Sequence, residues 1–394
     1  MHSISVKLPS SNGYMMAGTL DMPDTPPFTY AMFAHCFTGS RFTPAAARVS
    51  KTLAETGIAC LRFDFPGLGQ SEGDFHKTSF SENVNDIIAA NQWLSENYSA
   101  PQLLIGHSLG GAAALKAATM IPNLKAVATI GAPFDPAHAV LHFADRISEV
   151  DETGAVTLTL GGRDITISRE FLEDLAETNP EAYLPTLRKP LLIMHSPTDQ
   201  TVGIDNAQNI FLKTRYPKSL VSLHKVDHLC TKTGAAQLAA RIIRNWVEQH
   251  IVPQSSDSPF IPANTVVAHS TKAGKFSGLV HVGAQPIATD KDKADGGKNL
   301  GVTPTSLLIA ALASSTKQAI QTAAQSARMK PLTNIEVTIS PIASTLGTLH
   351  LKRSIKITGD SLTEDERKVL FSAAQPCEIS TFLSDSVVIE DTFQ

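Results

Sequence analysis

The chain has 394 residues, 42% of them hydrophobic and 18% charged, and a formal net charge of −4. That is enough chain for two cores in an ordinary globular composition. It has no basic block suited to nucleic acid or an anionic membrane surface, and no apolar run long enough to span a bilayer.

Residues 3–22 read as two strands around a turn at Ser11-Asn12-Gly13. Tyr30-Ala31-Met32-Phe33-Ala34 is a continuous apolar run, the mark of a strand covered on both faces. It leads into His35-Cys36-Phe37-Thr38-Gly39-Ser40. A helix over 44–56 precedes a strand over 58–65, which ends in the glycine-rich loop Pro66-Gly67-Leu68-Gly69-Gln70-Ser71-Glu72-Gly73. A helix over 82–98 presents Val84, Ile87, Ile88, Trp93 and Leu94 on one face. The apolar run Leu103-Leu104-Ile105 then enters Gly106-His107-Ser108-Leu109-Gly110-Gly111 and an alanine-rich helix over 110–120. Strands over 125–131, 190–195 and 219–224 and a helix over 234–250 follow. Strands alternating with helices imply an α/β fold, a largely parallel sheet covered on both faces.

Residues 132–188 are too long for an ordinary connection and read as a short cap. The cap contains a hairpin, Val156–Leu160 turning at Gly161-Gly162 into Asp164–Ile167. Phe134, Leu141, Phe143 and Phe171 are its candidate substrate-pocket residues, because insertions beyond the C-terminal strand ends build such sites.

Gly106-x-Ser108-x-Gly110 is the G-x-S-x-G pattern that puts a serine on a sharp strand-to-helix turn. A serine hydroxyl is a poor nucleophile unless a base and an oxyanion site stand beside it. Asp199 and His228 each follow a predicted strand, in the order Ser, Asp, His that this turn uses. The expected roles are Ser108 as nucleophile, His228 as general base and then acid, and Asp199 as the group orienting the imidazole. Asp135 is a competing acid. His107 shares the turn with the nucleophile and cannot face it, so it is not the base. The expected oxyanion donors are the amides of Leu109 and Phe37. Cys36 and Cys230 lie near this chemistry without a necessary part in it.

Over residues 1–252 these motifs resemble the α/β-hydrolase family. Arg62-x-Asp64-x-Pro66-Gly67-x-Gly69-x-Ser71-x-Gly73 is similar to that family's loop after its fourth strand, while Cys36 stands where the family's oxyanion motif has glycine. The resemblance implies hydrolysis through an acyl-enzyme, with no metal or organic cofactor. The expected activity is that of a carboxylesterase on small or medium acyl esters, with a peptidase or thioesterase as alternatives.

Residues 253–265 are rich in Pro and Ser and read as a linker. Beyond it come strands near 265–270 and 277–281, a polar loop with Gly296-Gly297, and a helix over 304–328. That helix should bury Leu307, Leu308, Ala311, Leu312, Ser315, Ala319 and Ile320. Strands over 333–340 and 347–357, a helix over 363–373 and a strand over 379–390 complete an α+β pattern for residues 266–394. Gly296-Gly297, Pro304-x-x-Leu307-Leu308-x-Ala310-Ala311-Leu312 and the neighbourhood of Cys377 resemble the OsmC/Ohr family of thiol peroxidases. In that family two cysteines, an arginine and a glutamate reduce hydroperoxides. Here Ser315 and Thr305 stand at the positions of one cysteine and of the glutamate, and no arginine occurs between Arg244 and Arg328. A lone thiol without a cation is not activated, so Cys377 is expected to be a residual thiol in a silent domain. The resemblance further implies a homodimer formed through this domain; the alternatives are a residual peroxidase or a redox-sensing scaffold using Cys377. Four cysteines without paired spacing, and a start without an apolar signal core, point to the cytoplasm.

Overall fold

In the computed structural model Gly13 sits at φ +90°, a conformation open to glycine without a Cβ penalty. The turn it closes joins β1 (His2–Pro9) to β2 (Met15–Met22) in antiparallel register. The structure describes residues 1–137, 150, 154–160, 163–252, 262, 265–271, 273–283, 285–342, 349–359 and 362–384. It divides into two compact units, Met1–Pro262 and Ala263–Gln394.

The first unit continues through β3 (Thr29–Ala34), α1 (Pro44–Glu55), β4 (Ile58–Phe63), α2 (Phe80–Asn97), β5 (Leu103–His107), α3 (Leu109–Met120) and β6 (Ala126–Ile130). The hairpin expected after β6 is β7 (Ala155–Leu160) and β8 (Arg163–Ser168), paired antiparallel as the sequence predicts. Then come α4 (Arg169–Glu177), α5 (Pro180–Tyr183), β9 (Leu191–His195), α6 (Ile204–Lys213), β10 (Lys218–Ser222) and α7 (Ala235–Val247). Eight strands form one sheet in the order β1-β2-β4-β3-β5-β6-β9-β10. β2 meets both neighbours antiparallel, and from β4 onward the pairings are parallel. Every residue of β4, β5, β6 and β9 is buried. This is why they read as apolar runs rather than alternations. One face packs on α2 and α3, the other on α1 and α7, giving two apolar cores.

The glycine-rich loop after β4 is organised by a buried charge. Asp64 pairs with the Arg41 guanidinium and accepts from the amides of Arg41 at 2.6 Å and Gln70 at 2.9 Å. Any Cβ on Gly69, at φ +57°, would lie 2.2 Å from Asp64 Oδ2. Beneath it Arg62 Nε donates to Asp21 Oδ2 at 2.8 Å. Removing one partner of such a pair strands a charge in the interior, at a cost of about 3–5 kcal/mol. The loop is thus held over the ends of β3 and β4.

The second unit has a three-stranded antiparallel sheet, β11 (Val266–Ser270), β12 (Gly278–Val282) and β13 (Gln285–Thr289). Its remaining elements are α8 (Pro304–Ser326), the hairpin β14 (Leu332–Ile342) and β15 (His350–Gly359), α9 (Glu364–Ala374) and α10 (Glu378–Ser384). Three sequence expectations are corrected. Residues 285–289, expected within a polar loop, pair with β12. Residues 379–384, the start of the strand expected over 379–390, lie in a helix, Glu378–Ser384, that packs on α8, with the Ile379 amide donating to Ser315 Oγ and the Ser380 hydroxyl to the Cys377 carbonyl. β-branched Ile379 and Thr381 favour a strand locally, but tertiary contact decides. Finally, α8 buries Leu312, Ser315, Thr316, Ile320 and Ala324, whereas Leu308 is exposed. Among the described residues no helix is long and apolar enough to cross a membrane.

Candidate active site

β5 ends and α3 begins within one residue, and Ser108 takes the strain of that reversal at φ +54°, ψ −130°. A non-glycine residue held there costs about 1–3 kcal/mol. The flanking glycines make the turn possible by close approach. A Cβ on Gly106 would lie 2.5 Å from the Gly110 carbonyl, and one on Gly110 would lie 2.1 Å from the carbonyl of His35. Ser108 is fastened to the sheet by its amide, which donates to the Ile130 carbonyl at 2.9 Å.

Three side chains from three strand ends form one hydrogen-bonded chain. His228 Nε2 lies 2.9 Å from Ser108 Oγ, and His228 Nδ1 lies 2.7 Å from Asp199 Oδ2. The other carboxylate oxygen of Asp199 accepts from the amides of Thr201 at 2.8 Å and Val202 at 3.0 Å. Burial alone would raise the Asp199 pKa, but the bonds from His228, Val202 and Thr201 outweigh it and hold the carboxyl below its ordinary value. Asp199 is therefore an anion facing Nδ1, which makes Nδ1 the protonated nitrogen and leaves Nε2 to accept from the serine. Asp135, the competing acid, is exposed and accepts from the Ala137 amide.

Phe37 and Leu109 line one narrow cleft, together with Phe65, Leu68, Phe75 and Asn83. Leu109 opens α3, so its amide lies at the positive end of a helix. Phe171 of α4 closes an aromatic triangle with Phe37, at 5.7 Å between centroids, and Phe75, at 5.5 Å. Phe134 packs on the core and donates its amide to Asn206 at 3.0 Å. Leu141 and Phe143 lie outside the described residues, as does most of the expected linker. Cys36 and Cys230 are buried, and burial pushes their thiols up to about 11 and about 12. Neither is a thiolate at neutral pH.

Several neighbours of the chain were not visible in the sequence. Gly131, at φ +56°, would bring a Cβ to 3.4 Å from both Asp199 Oδ2 and His228 Nδ1. His35 is buried, its Nδ1 donating to the Cys36 carbonyl at 2.8 Å and its Nε2 accepting from the Phe65 amide at 3.3 Å. His195 donates to the Val202 carbonyl at 2.7 Å, fastening the loop of Asp199.

In the second unit Cys377 is buried with Arg353 Nη1 at 3.8 Å and Thr316 Oγ1 at 3.5 Å, and Arg353 also donates to Thr316 at 2.9 Å. The expectation that no cation attends this thiol is thereby corrected. The arginine lies outside the span 244–328 and is delivered by β15. A signal was present: Arg353 lies in register with Leu351, Ile355 and Ile357 on the strand's less exposed face. Burial alone would raise the Cys377 pKa, but hydrogen bonds from Ser380, Thr316 and Ser315 prevail and bring it down to about 6. Among the described residues no group of His, Cys, Asp or Glu could hold a metal ion.

A serine on a strained turn at the C-terminal edge of a doubly covered parallel sheet, bonded through histidine to a carboxylate, defines the α/β-hydrolase class. Comparison with known proteins agrees. Residues 43–165 match the family described as serine aminopeptidase, S33 (Hydrolase_4), and residues 296–391 match OsmC-like protein. The esterase domain of a Rhodothermus marinus protein is 44% identical over 64% of this chain and 100% of that one, with a TM-score of 0.53. The chain belongs to the α/β-hydrolase family and joins that domain to an OsmC-like domain in one polypeptide. The human palmitoyl-protein thioesterase ABHD10, mitochondrial, is 30% identical over 133 residues, which make up 32% of this chain and 42% of that protein. The chain thus spans less than half the length of the curated relatives it matches. Mouse alpha/beta hydrolase domain-containing protein 10 shares the fold at 20% identity, covering 62% of this chain and 99% of that one with a TM-score of 0.53.

Proposed function

We propose that the protein is a serine hydrolase acting as a carboxylesterase on small or medium acyl esters. The observation that carries this is the unbroken hydrogen-bonded chain from Ser108 through His228 to Asp199. As Ser108 Oγ attacks the ester carbonyl, its proton passes to His228 Nε2, and the imidazolium is stabilised by the Asp199 carboxylate. The amides of Leu109 and Phe37 donate to the oxyanion, each such donor being worth about 3 kcal/mol. Collapse expels the alcohol, which takes the proton from His228. Water, deprotonated by the same imidazole, then releases the acid from Ser108. The cleft beside Leu109 is lined by aromatic rings and leaves little open space, which favours a short acyl group over a long one.

A thioesterase reading is favoured by the likeness to ABHD10, and the same steps serve it with a thiol as leaving group. A panel of p-nitrophenyl esters and acyl thioesters of two to sixteen carbons separates the two. An ester kcat/KM that peaks at short chains and exceeds the thioester values supports the esterase; the opposite ranking overturns it.

For the second unit we propose a homodimerisation role. Exposed Val302, Leu308, Phe371, Phe382 and Leu383 support it as apolar surface that a second copy would cover. Arg353 favours a second reading for Cys377, a redox-responsive thiol. Peroxide consumption that survives Ser108→Ala and is lost in Cys377→Ser would establish it; no consumption by the wild type would leave the domain catalytically silent. All four cysteines are free thiols, which suits a reducing, cytoplasmic setting.

A further inference from the structure

His107 takes no part in the steps above, yet it is wholly buried between the nucleophile turn and the loop carrying the base. Its Nε2 lies 2.7 Å from the main-chain carbonyl oxygen of His228. A carbonyl only accepts, so Nε2 carries the proton and donates. Nδ1 is then unprotonated, without a hydrogen-bond partner among the described residues. The ring therefore has one polar attachment there, and that attachment is to the base. Burial first, then the neighbouring His228, pushes the His107 pKa down to about 3. With ring centroids 5.3 Å apart, a neutral His107 adds no like-charge repulsion when His228 becomes imidazolium.

His107 is the last residue of β5, next to Ser108, and the Ser108 amide is bonded to the end of β6. The loop of His228 is folded locally by Asp227, whose carboxylate accepts from the amides of Thr231 at 3.0 Å and Lys232 at 3.1 Å. Those bonds shape the loop without tying it to the sheet. The His107–His228 bond does tie it, through one ring, to the main chain that carries the nucleophile. The base is then held at both ends: by its Nδ1 on Asp199 and by its carbonyl on His107.

We infer that His107 is a positioning residue, clamping the main chain of His228 to the nucleophile turn and so setting the reach between Nε2 and Ser108 Oγ. This rests on Ser108 and His228 acting as nucleophile and base. Misplacing a reacting group by about 1 Å can cost on the order of 100-fold in rate.

The test compares His107→Gln, whose amide nitrogen reaches about as far as Nε2, with His107→Phe, which fills the ring's space without a donor. Ester turnover and thermal unfolding are measured on the full chain, with Ser108→Ala as the baseline. His107→Phe is expected to lose about 10- to 100-fold in kcat with KM nearly unchanged, and His107→Gln to stay within about threefold of wild type. If His107→Phe does not fold, His107→Asn, polar but too short, replaces it with the same expectation. The inference is overturned if the donorless or short variant keeps wild-type kcat, or if Gln falls as far as Phe while both stay folded. Wild-type turnover that persists in Ser108→Ala would instead overturn the reading of the site itself.

Discussion

In the proposed mechanism the Asp199 carboxylate sets the direction of proton flow. One oxygen is committed to two backbone amides and the other to His228. In Asp199→Asn the amide oxygen would take the place facing Thr201 and Val202, leaving the NH2 group to face Nδ1. The imidazole would then hold its proton on Nε2, where it cannot accept from Ser108. A fall of about 10⁴-fold in kcat, with the melting temperature little changed, is expected in steady-state ester assays. Much of this site was legible because each side chain follows its own strand: Ser108, Asp199 and His228 can each be placed by local pattern alone. Contacts made across the fold were not legible. The carbonyl of residue 228 accepting from His107 leaves no local trace, and Arg353 reaches Cys377 only because the β14–β15 hairpin delivers it to α8. Arginine on the apolar side of a strand was the one clue.

Among the elements, the β5–α3 turn is the most constrained. Gly106→Ala would drive a methyl to 2.5 Å from backbone atoms of Gly110 and Gly111 that cannot move without shifting α3. A loss of about 3 kcal/mol in urea unfolding is expected, from a change of one methyl group. α2 offers a prediction of the opposite sign. Asp86 on this helix is buried and accepts from the amide and hydroxyl of Ser11, both at 2.8 Å, tying the β1–β2 turn down. Burial pushes its pKa up to about 6. Because the folded value lies above the unfolded one of about 3.9, its contribution to stability is full below that value and is lost as pH rises through about 6. Asn can accept from Ser11 without a charge, so Asp86→Asn should raise stability by about 1–2 kcal/mol at pH 7.5 and by almost nothing at pH 4. Urea unfolding of both proteins at the two pH values checks it. The helical residues 378–384 teach the complementary lesson. Their β-branched side chains suggested a strand, and packing on α8 overrode that preference.

At the scale of the whole molecule, the parallel sheet of the first unit brings distant residues together because β3, β4, β5, β6, β9 and β10 all end at the same edge. Ser108 and His228 are 120 positions apart and yet in hydrogen-bond contact. The same principle made the α/β architecture of the first unit readable from its alternation of apolar runs and helices. The three-stranded sheet of the second unit is built from short, half-exposed strands, whose weak alternation hid β13. Its exposed apolar residues support a dimer, so sedimentation of the full chain should give twice the monomer mass and residues 1–252 a monomer. A monomeric full chain at micromolar concentration would remove that proposal.

The claim underlying the rest is that His228 makes the Ser108 hydroxyl nucleophilic, and fluorophosphonate labelling followed by mass spectrometry reads it directly. Wild type should carry one phosphonyl group on Ser108, and His228→Ala should label about 10³-fold more slowly or not at all. Equal labelling of the two proteins, or modification at another residue, would contradict the account.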